Sequence, residues 1–253
     1  MIAQPFAVIA GVVLGLIFGS FFAALMMRWP DGKSVLRGRS ACDQCGRVLG
    51  PVELVPLLSA LMQRGRCMSC GAWIDPVHWR IELGCAVIGG VAAFVAPLPY
   101  ALGWMALGWI LLALAVLDAR HYWLPDALTL PLAGLGLMVA PWVTGTRLTD
   151  GLIGAAIGYG VLLLIAIAYR KLRGREGLGL GDAKLLGALG AWFGWQALPF
   201  ILLAASLLGL VTALAGAVRS GGRLNAQSML PLGTFLCVAA LPGWWVSQRL
   251  LAL

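Results

Sequence analysis

Eight apolar stretches, at residues 5–27, 81–96, 100–117, 124–143, 152–169, 183–197, 198–218 and 229–251, leave this chain few ways to fold. A helix needs about 20 predominantly apolar residues to cross the hydrocarbon layer of a bilayer. Most of the stretches approach that length, and 183–197 is the shortest. Hydrophobic residues make up 61% of the sequence and charged residues 11%, whereas soluble domains carry about 25% charge. A soluble fold of this size could not hide so much apolar surface. Helices satisfy their own backbone hydrogen bonds, which lipid cannot do for them. The chain therefore reads as an all-α polytopic membrane protein with about eight transmembrane helices in a lipid bilayer.

The net charge of +8 would suggest nucleic acid in a soluble protein. Here the basic residues follow the membrane segments instead. No Lys or Arg precedes the first stretch, and Arg28, Lys33, Arg37 and Arg39 follow it at once. That order predicts a retained helix with its N-terminus outside and its C-terminal end in the cytoplasm rather than a cleaved secretory signal. Eight crossings then put loops 28–80, 118–123, 170–182 and 219–228 in the cytoplasm. Sixteen of the eighteen Lys and Arg fall on that side, with only Arg147 and Arg249 on the other. The positive-inside bias explains the charge, and no nucleic-acid partner is expected. The pattern divides the chain into a first transmembrane helix (1–27), a small cytoplasmic domain (28–80) and a membrane-embedded domain (81–253). Pro97, Pro99, Pro141, Gly174 and Pro242 read as markers of helix ends.

The cytoplasmic segment holds two CxxC pairs, Cys42/Cys45 and Cys67/Cys70, each followed by a glycine, Gly46 or Gly71. Two such knuckles can enclose one Zn²⁺ with four thiolates, a closed shell that makes the metal structural. Two disulfides are the plainer alternative, but thiols stay reduced in the cytoplasm. Few apolar residues are available there for a core, so metal would supply much of the folding free energy. Cys85 and Cys237 lie in apolar runs and read as packing residues.

The chain has seven Asp and three Glu. An acid at a membrane boundary is costly unless paired or hydrated, so each is a functional candidate. Asp118 closes the third stretch, Asp126 opens the fourth after Leu124-Pro125, and Asp182 follows Gly179-Leu180-Gly181. All three are expected at the cytoplasmic face. Two carboxyls that converge in a low-dielectric pocket cannot both ionise easily, so one keeps a proton. The charged one can take a proton from a water attacking a peptide carbonyl, while the other donates a hydrogen bond to the carbonyl oxygen. The peptidase chemistry needs no cofactor. No HExxH or GxSxG motif offers another peptidase mechanism. Gly179 and Gly181 would permit close backbone approach and positive φ before a helix start. Each acid also has a plain structural reading: Asp182 as an N-cap with Lys184 a surface charge, Asp126 as helix-start chemistry, and Asp118 paired with Arg120.

Taken in order, the residues from 15 to 232 resemble the type IV prepilin peptidase family of GxGD membrane aspartic peptidases. The resemblance is carried by Gly19-Ser20-Phe21, Arg28-Trp29-Pro30, the CxxC pairs with Pro56-Leu57-Leu58-Ser59 and Arg64-Gly65-Arg66-Cys67 between them, and Glu82. It continues through Leu117-Asp118, Leu124-Pro125-Asp126, Thr129-Leu130-Pro131, Glu176 to Asp182, Lys184-Leu185-Leu186, Gly190-Ala191-Trp192 and Pro231-Leu232-Gly233. The resemblance implies an inner-membrane endopeptidase that removes the basic leader of prepilins or pseudopilins at the cytoplasmic face, just before an apolar helix. It maps the catalytic pair onto Asp118 and Asp182, with Asp126, Gly179, Gly181 and Lys184 in supporting roles. It also implies methylation of the new N-terminal residue from S-adenosylmethionine, an activity linked to the cysteine domain. Ala23, Val52, Leu54 and Trp79 depart from the family pattern, and those departures bear on methylation rather than hydrolysis.

Three other readings compete. An ion-coupled transporter would place acids near mid-bilayer on broken helices. A non-catalytic scaffold with a zinc loop would not require Asp118 or Asp182. A GxGD peptidase acting on other substrates would not need the cysteine loop.

Overall fold

A computed structural model describes residues 3–35, 39–42, 44–174, 178–219 and 230–251. Arg37, Arg175, Glu176, Gly177, Arg223 and Met229, which the reading above uses, lie outside them, as does nearly all of loop 219–228. The described residues form helices α1 (Ala3–Arg28), α2 (Leu58–Met62), α3 (Val77–Val95), α4 (Tyr100–His121), α5 (Asp126–Val143), α6 (Leu148–Arg173), α7 (Leu180–Phe193), α8 (Leu198–Arg219) and α9 (Leu232–Leu251). Short 3₁₀ turns lie at Pro51–Leu54 and Trp195–Ala197. Two isolated β-bridges are the only extended pairing among the described residues.

Six helices are long and apolar enough to cross a bilayer: α1, α3, α4, α5, α6, and α8 with the 3₁₀ turn before it. Their outward faces are apolar too. Phe6, Ile9, Val13 and Ile17 on α1, and Leu203, Leu207, Leu210 and Val211 on α8, are all exposed. A helix apolar on every side needs lipid or protein around it. The molecule is a multi-pass, all-helical membrane protein.

The helix ends run past the apolar stretches. α4 continues through Asp118 and Arg120 to His121, so Asp118 sits inside its last turn rather than closing it. α6 starts at Leu148 and reaches Arg173, where Gly174 turns left-handed at φ 66°. Hydropathy follows the lipid layer, whereas helical hydrogen bonding continues into polar surroundings. Pro141 and Pro242 do not mark ends, because they lie inside α5 and α9. Proline is tolerated within membrane helices where neighbours re-satisfy the freed backbone groups.

Stretch 183–197 does not form one continuous helix. α7 ends at Phe193, Gly194 breaks it at φ 78°, and a 3₁₀ turn follows. The hydroxyls of Thr144 and Thr146 reach the Trp192 carbonyl at 2.7 and 2.9 Å. They satisfy an acceptor that the helix end leaves open. From Asp182 to Phe193 every residue of α7 except Lys184 is buried.

The chain forms two compact units, Met1–Ala113 and Leu114–Leu253. In the first, α1 and α3 meet along a seam of glycines. A Cβ on Gly11 would lie 2.4 Å from the Gly89 carbonyl oxygen, and one on Gly15 would lie 2.2 Å from that of Cys85. Small residues permit such close approach, the usual basis of helix pairing in lipid. In the second unit α7 packs on α6 the same way, with Gly154 and Gly190 against each other's backbone. Gly15→Val is therefore expected to lower the thermal midpoint of the detergent-purified protein by several degrees, an overpacking cost of about 1–3 kcal/mol or more. Gly160→Ala, at a helix position with nothing within 4 Å, should leave the midpoint unchanged or slightly higher.

Candidate functional site

The first unit holds the cysteine cluster. The two knuckles fold alike. In one, Ala41 bridges Val48, the Cys42 amide bonds the Arg47 carbonyl at 2.9 Å, and Gly46 closes the turn onto the Cys42 carbonyl. In the other, Arg66 bridges Trp73, the Cys67 amide bonds the Ala72 carbonyl at 2.8 Å, and Gly71 closes onto Cys67. Both glycines stand at φ 69°, a left-handed conformation that a side chain would strain.

All six cysteines are free thiols, so the disulfide alternative is not formed. The sulfurs of Cys42, Cys45, Cys67 and Cys70 lie within 4.8 Å of one another. Cys42 Sγ and Cys70 Sγ are 3.8 Å apart. A tetrahedral Zn–S₄ shell with bonds of about 2.3 Å has edges of about 3.8 Å. The donor set and its spacing fit a metal ion such as zinc. The amides of Cys70 and then Ser69 face the Cys67 sulfur and bring its thiol down to about 6. Against the Ala72 amide, burial and the neighbouring sulfurs push Cys70 up to about 11, so Cys67 is the first of the two to become a thiolate. Arg47 pairs with Glu53 and points toward the Cys67 sulfur. The Gly50 amide, and after it Arg47, hold Glu53 below the ordinary carboxylate range. Cys67 is the only buried residue among those described from 39 to 80. Cys85 and Cys237, by contrast, are buried in helices as packing residues.

The second unit brings two acids together. Asp118 and Asp182, from the last turn of α4 and the first turn of α7, are both buried and act electrostatically on each other. Gly233, in the first turn of α9, touches both. A Cβ there would lie 3.1 Å from Cγ and Oδ2 of Asp118, while its amide is directed at Asp182. The next amide, Thr234 N–H, donates to Asp118 Oδ2 at 2.7 Å, and the Thr234 hydroxyl lies 3.0 Å from the same oxygen. First-turn N–H groups have no partner within their own helix and suit anionic acceptors. The start of α9 thus offers consecutive amides to the two carboxyls. Asp182 Oδ1 is buried with no hydrogen-bond partner among the described residues.

The glycines of the GxGD run act through space rather than through unusual torsions. Gly179 stands at φ −72°, and neither it nor Gly181 has a positive φ. A Cβ on Gly181 would lie 2.8 Å from Leu124 Cβ, and one on Gly233 would lie 2.7 Å from Leu124 Cδ1. Leu124 therefore fits between the two helix starts because both positions lack a side chain. A Cβ on Gly179 would come within 3.3 Å of Asp182 Oδ2. Asp182 is not the N-cap of α7, a position held by Gly179. Asp126 and Lys184 form a separate pair, Nζ to Oδ1 2.6 Å and to Oδ2 2.8 Å, linking the starts of α5 and α7 at the surface. Exposed pairs of this kind contribute little stability.

Thr234 was not among the residues read from the sequence as functional. The signal for it is Pro231 followed by a helix start with small residues at 233 and 234, whose free amides need acceptors.

The sequence profile of the type IV leader peptidase family matches residues 105–214, and that of the bacterial peptidase A24 N-terminal domain matches residues 13–96. A Burkholderia pseudomallei protein named prepilin leader peptidase/N-methyltransferase is 39% identical over 89% of this chain and 81% of its own length. Proteins of the same name from Pseudomonas aeruginosa and Aeromonas hydrophila are 36% and 41% identical. They cover 96% and 81% of this chain, and 90% and 70% of their own lengths. No solved structure matches the chain. The chain belongs to the type IV leader peptidase family.

Proposed function

We propose that this protein is an aspartic endopeptidase of the bacterial inner membrane that removes the basic leader of prepilins or pseudopilins. The observation that supports this most directly is the convergence of the Asp118 and Asp182 carboxyls at Gly233, one from each of two helices. One carboxyl takes a proton from the attacking water, and the other, protonated, donates to the scissile carbonyl oxygen. As the amide nitrogen leaves, the proton taken from the water passes to it, so the first carboxyl is again charged and the second still protonated. Asp126 and Lys184 hold the starts of α5 and α7 together beside this pair and take no part in the chemistry. The basic bias of loops 28–80, 118–123 and 170–182 supports a cytoplasmic active face and a periplasmic N-terminus.

A transporter relay is disfavoured, because both acids sit in terminal turns of continuous helices rather than at breaks. A mere scaffold is disfavoured by the burial of two mutually repelling carboxyls, which costs stability and needs a reason.

The relatives' names support a second activity, N-methylation of the released N-terminal residue. S-adenosylmethionine would supply the methyl group. The apolar groove lined by Leu14, Phe18, Phe22, Leu102, Ala106 and Trp109 does not fit that molecule. Its one polar group, the Trp109 indole N–H, already donates to the Cys85 carbonyl at 2.8 Å. Methylation therefore rests on family membership. Zinc in the cysteine cluster would be structural, with Cys42, Cys45, Cys67 and Cys70 as its ligands.

Co-expression with a prepilin-like substrate, followed by mass spectrometry of the product N-terminus, tests both activities. Cleavage before the apolar helix with a mass increase of one methyl group is the expected result. A cleaved but unmodified N-terminus would remove the second activity, and an intact leader would remove the first.

A further inference from the structure

The two acids are not equivalently held. We propose that Thr234 is a positioning residue that makes Asp118, rather than Asp182, the charged member of the pair and so the group that takes the proton from water. This rests on the reading of Asp118 and Asp182 as the catalytic pair.

Oδ2 of Asp118 accepts the Thr234 amide at 2.7 Å, within the range of charge-assisted hydrogen bonds. The hydroxyl of the same residue lies 3.0 Å from that oxygen and 3.0 Å from the Ala115 carbonyl. The one hydroxyl hydrogen is shared between these two acceptors, and its share to Asp118 adds to the amide bond on the same carboxylate oxygen. Both donors come from one residue. Its backbone is held in the first turn of α9, and its side chain is stiff through β-branching. Asp182 has no comparable side-chain donor. Two backbone amides face it, and its buried Oδ1 accepts nothing among the described residues. A donor stabilises the charged form of an acceptor, and a buried oxygen without a donor disfavours it. The negative charge accordingly settles on Asp118 and the shared proton on Asp182.

Among the described residues the titratable and charged groups facing Asp118 are few. From α7 there is Asp182, and from α9 Cys237, whose thiol senses both carboxyls. Arg120 and His121 follow on α4 itself. Lys184 is engaged by Asp126. Replacing Thr234 changes none of these, so its effect on pH dependence reports on the hydroxyl.

The experiment is the cleavage rate of a prepilin-like substrate against pH, with the full-length enzyme in membranes. Thr234→Val removes the hydroxyl but keeps the amide, the shape and the branching. Asp118 then retains its proton to higher pH, and the acid limb of the profile should move up by about one unit. Thr234→Ser, which keeps the hydroxyl, should return the limb to its original position. Thr234→Ala takes the place of the valine variant if that protein does not accumulate. An unmoved limb, or one displaced to lower pH, overturns the proposal, as does a serine variant that behaves like valine. Asp118→Asn separates the two levels. If it still cleaves, the catalytic pair itself is wrong. If it is silent while Thr234→Val is unshifted, only the role of Thr234 fails.

Discussion

Asp118→Asn and Asp182→Asn should each leave a co-expressed prepilin-like substrate with its leader intact. Each substitution keeps volume and shape but removes the ability to carry a proton. Positioned proton transfer contributes about 10²–10⁴-fold to rate, and either change disables one of the two transfers proposed for the pair. The expected loss of 10³–10⁴-fold corresponds to about 4–5.5 kcal/mol of barrier. Asn also relieves the repulsion between the carboxyls, so the variants should be no less stable to heat than the parent. That combination of a stable protein and an intact leader is the diagnostic outcome. Asp126→Asn, which only weakens an exposed pair, should cleave normally. Normal processing by Asp118→Asn or Asp182→Asn would show that the acids meet for some other reason.

Disrupting the proposed zinc site should have the next largest effect, and a local one. Cys42→Ser or Cys67→Ser is expected to reduce bound zinc in the purified protein from about one per chain to a small fraction. The segment from 39 to 76 should then become sensitive to trypsin at Arg64 and Arg66. Among the described residues only Cys67 is buried there, while Val52, Leu58, Leu61, Met62 and Trp73 are exposed. No apolar core can replace the ion, whose binding in small zinc domains contributes about 10–16 kcal/mol of apparent folding free energy. Chelation should give the same cleavage pattern in the parent protein. Cys85→Ser and Cys237→Ser remove thiols outside the cluster and should leave zinc content unchanged. Undiminished zinc in Cys42→Ser would refute the four-thiolate site.

Much of this architecture is legible in the sequence, and the reasons differ by element. The apolar stretches each predict a helix because lipid demands apolar residues in runs of nearly fixed length. The knuckles are legible because four sulfurs must meet at one distance and a turn must pass through positive φ at Gly46 and Gly71. Asp118 and Asp182 stand out because an acid among apolar residues is costly. Other features depend on distant neighbours. α7 resembles a short membrane span in sequence, yet it is walled in by other helices and breaks at Gly194. Gly179 and Gly181 suggest freedom of φ, whereas the space that Gly181 leaves is filled by Leu124 from another segment. Thr234 looks ordinary in a helix start, and only the approach of Asp118 gives it a role. Pro141 and Pro242 look like terminators because the rule for soluble helices carries over poorly to membranes.

The length of α7 has a consequence for where water can go. Fourteen residues rise about 21 Å, some 9 Å less than a hydrocarbon layer of about 30 Å. Its neighbours α5, α6, α8 and α9 have 18, 26, 22 and 20 residues. A short rod ringed by longer ones leaves a recess at one or both of its ends, and lipid tails cannot enter a space walled by protein. The first turn of α7, which carries Asp182, starts level with α5, where Lys184 meets Asp126 at the surface. The acid therefore lies near the polar edge of the lipid layer rather than at its middle. A peptide bond at the very edge of an apolar segment can meet a water molecule there without first being drawn out of the membrane.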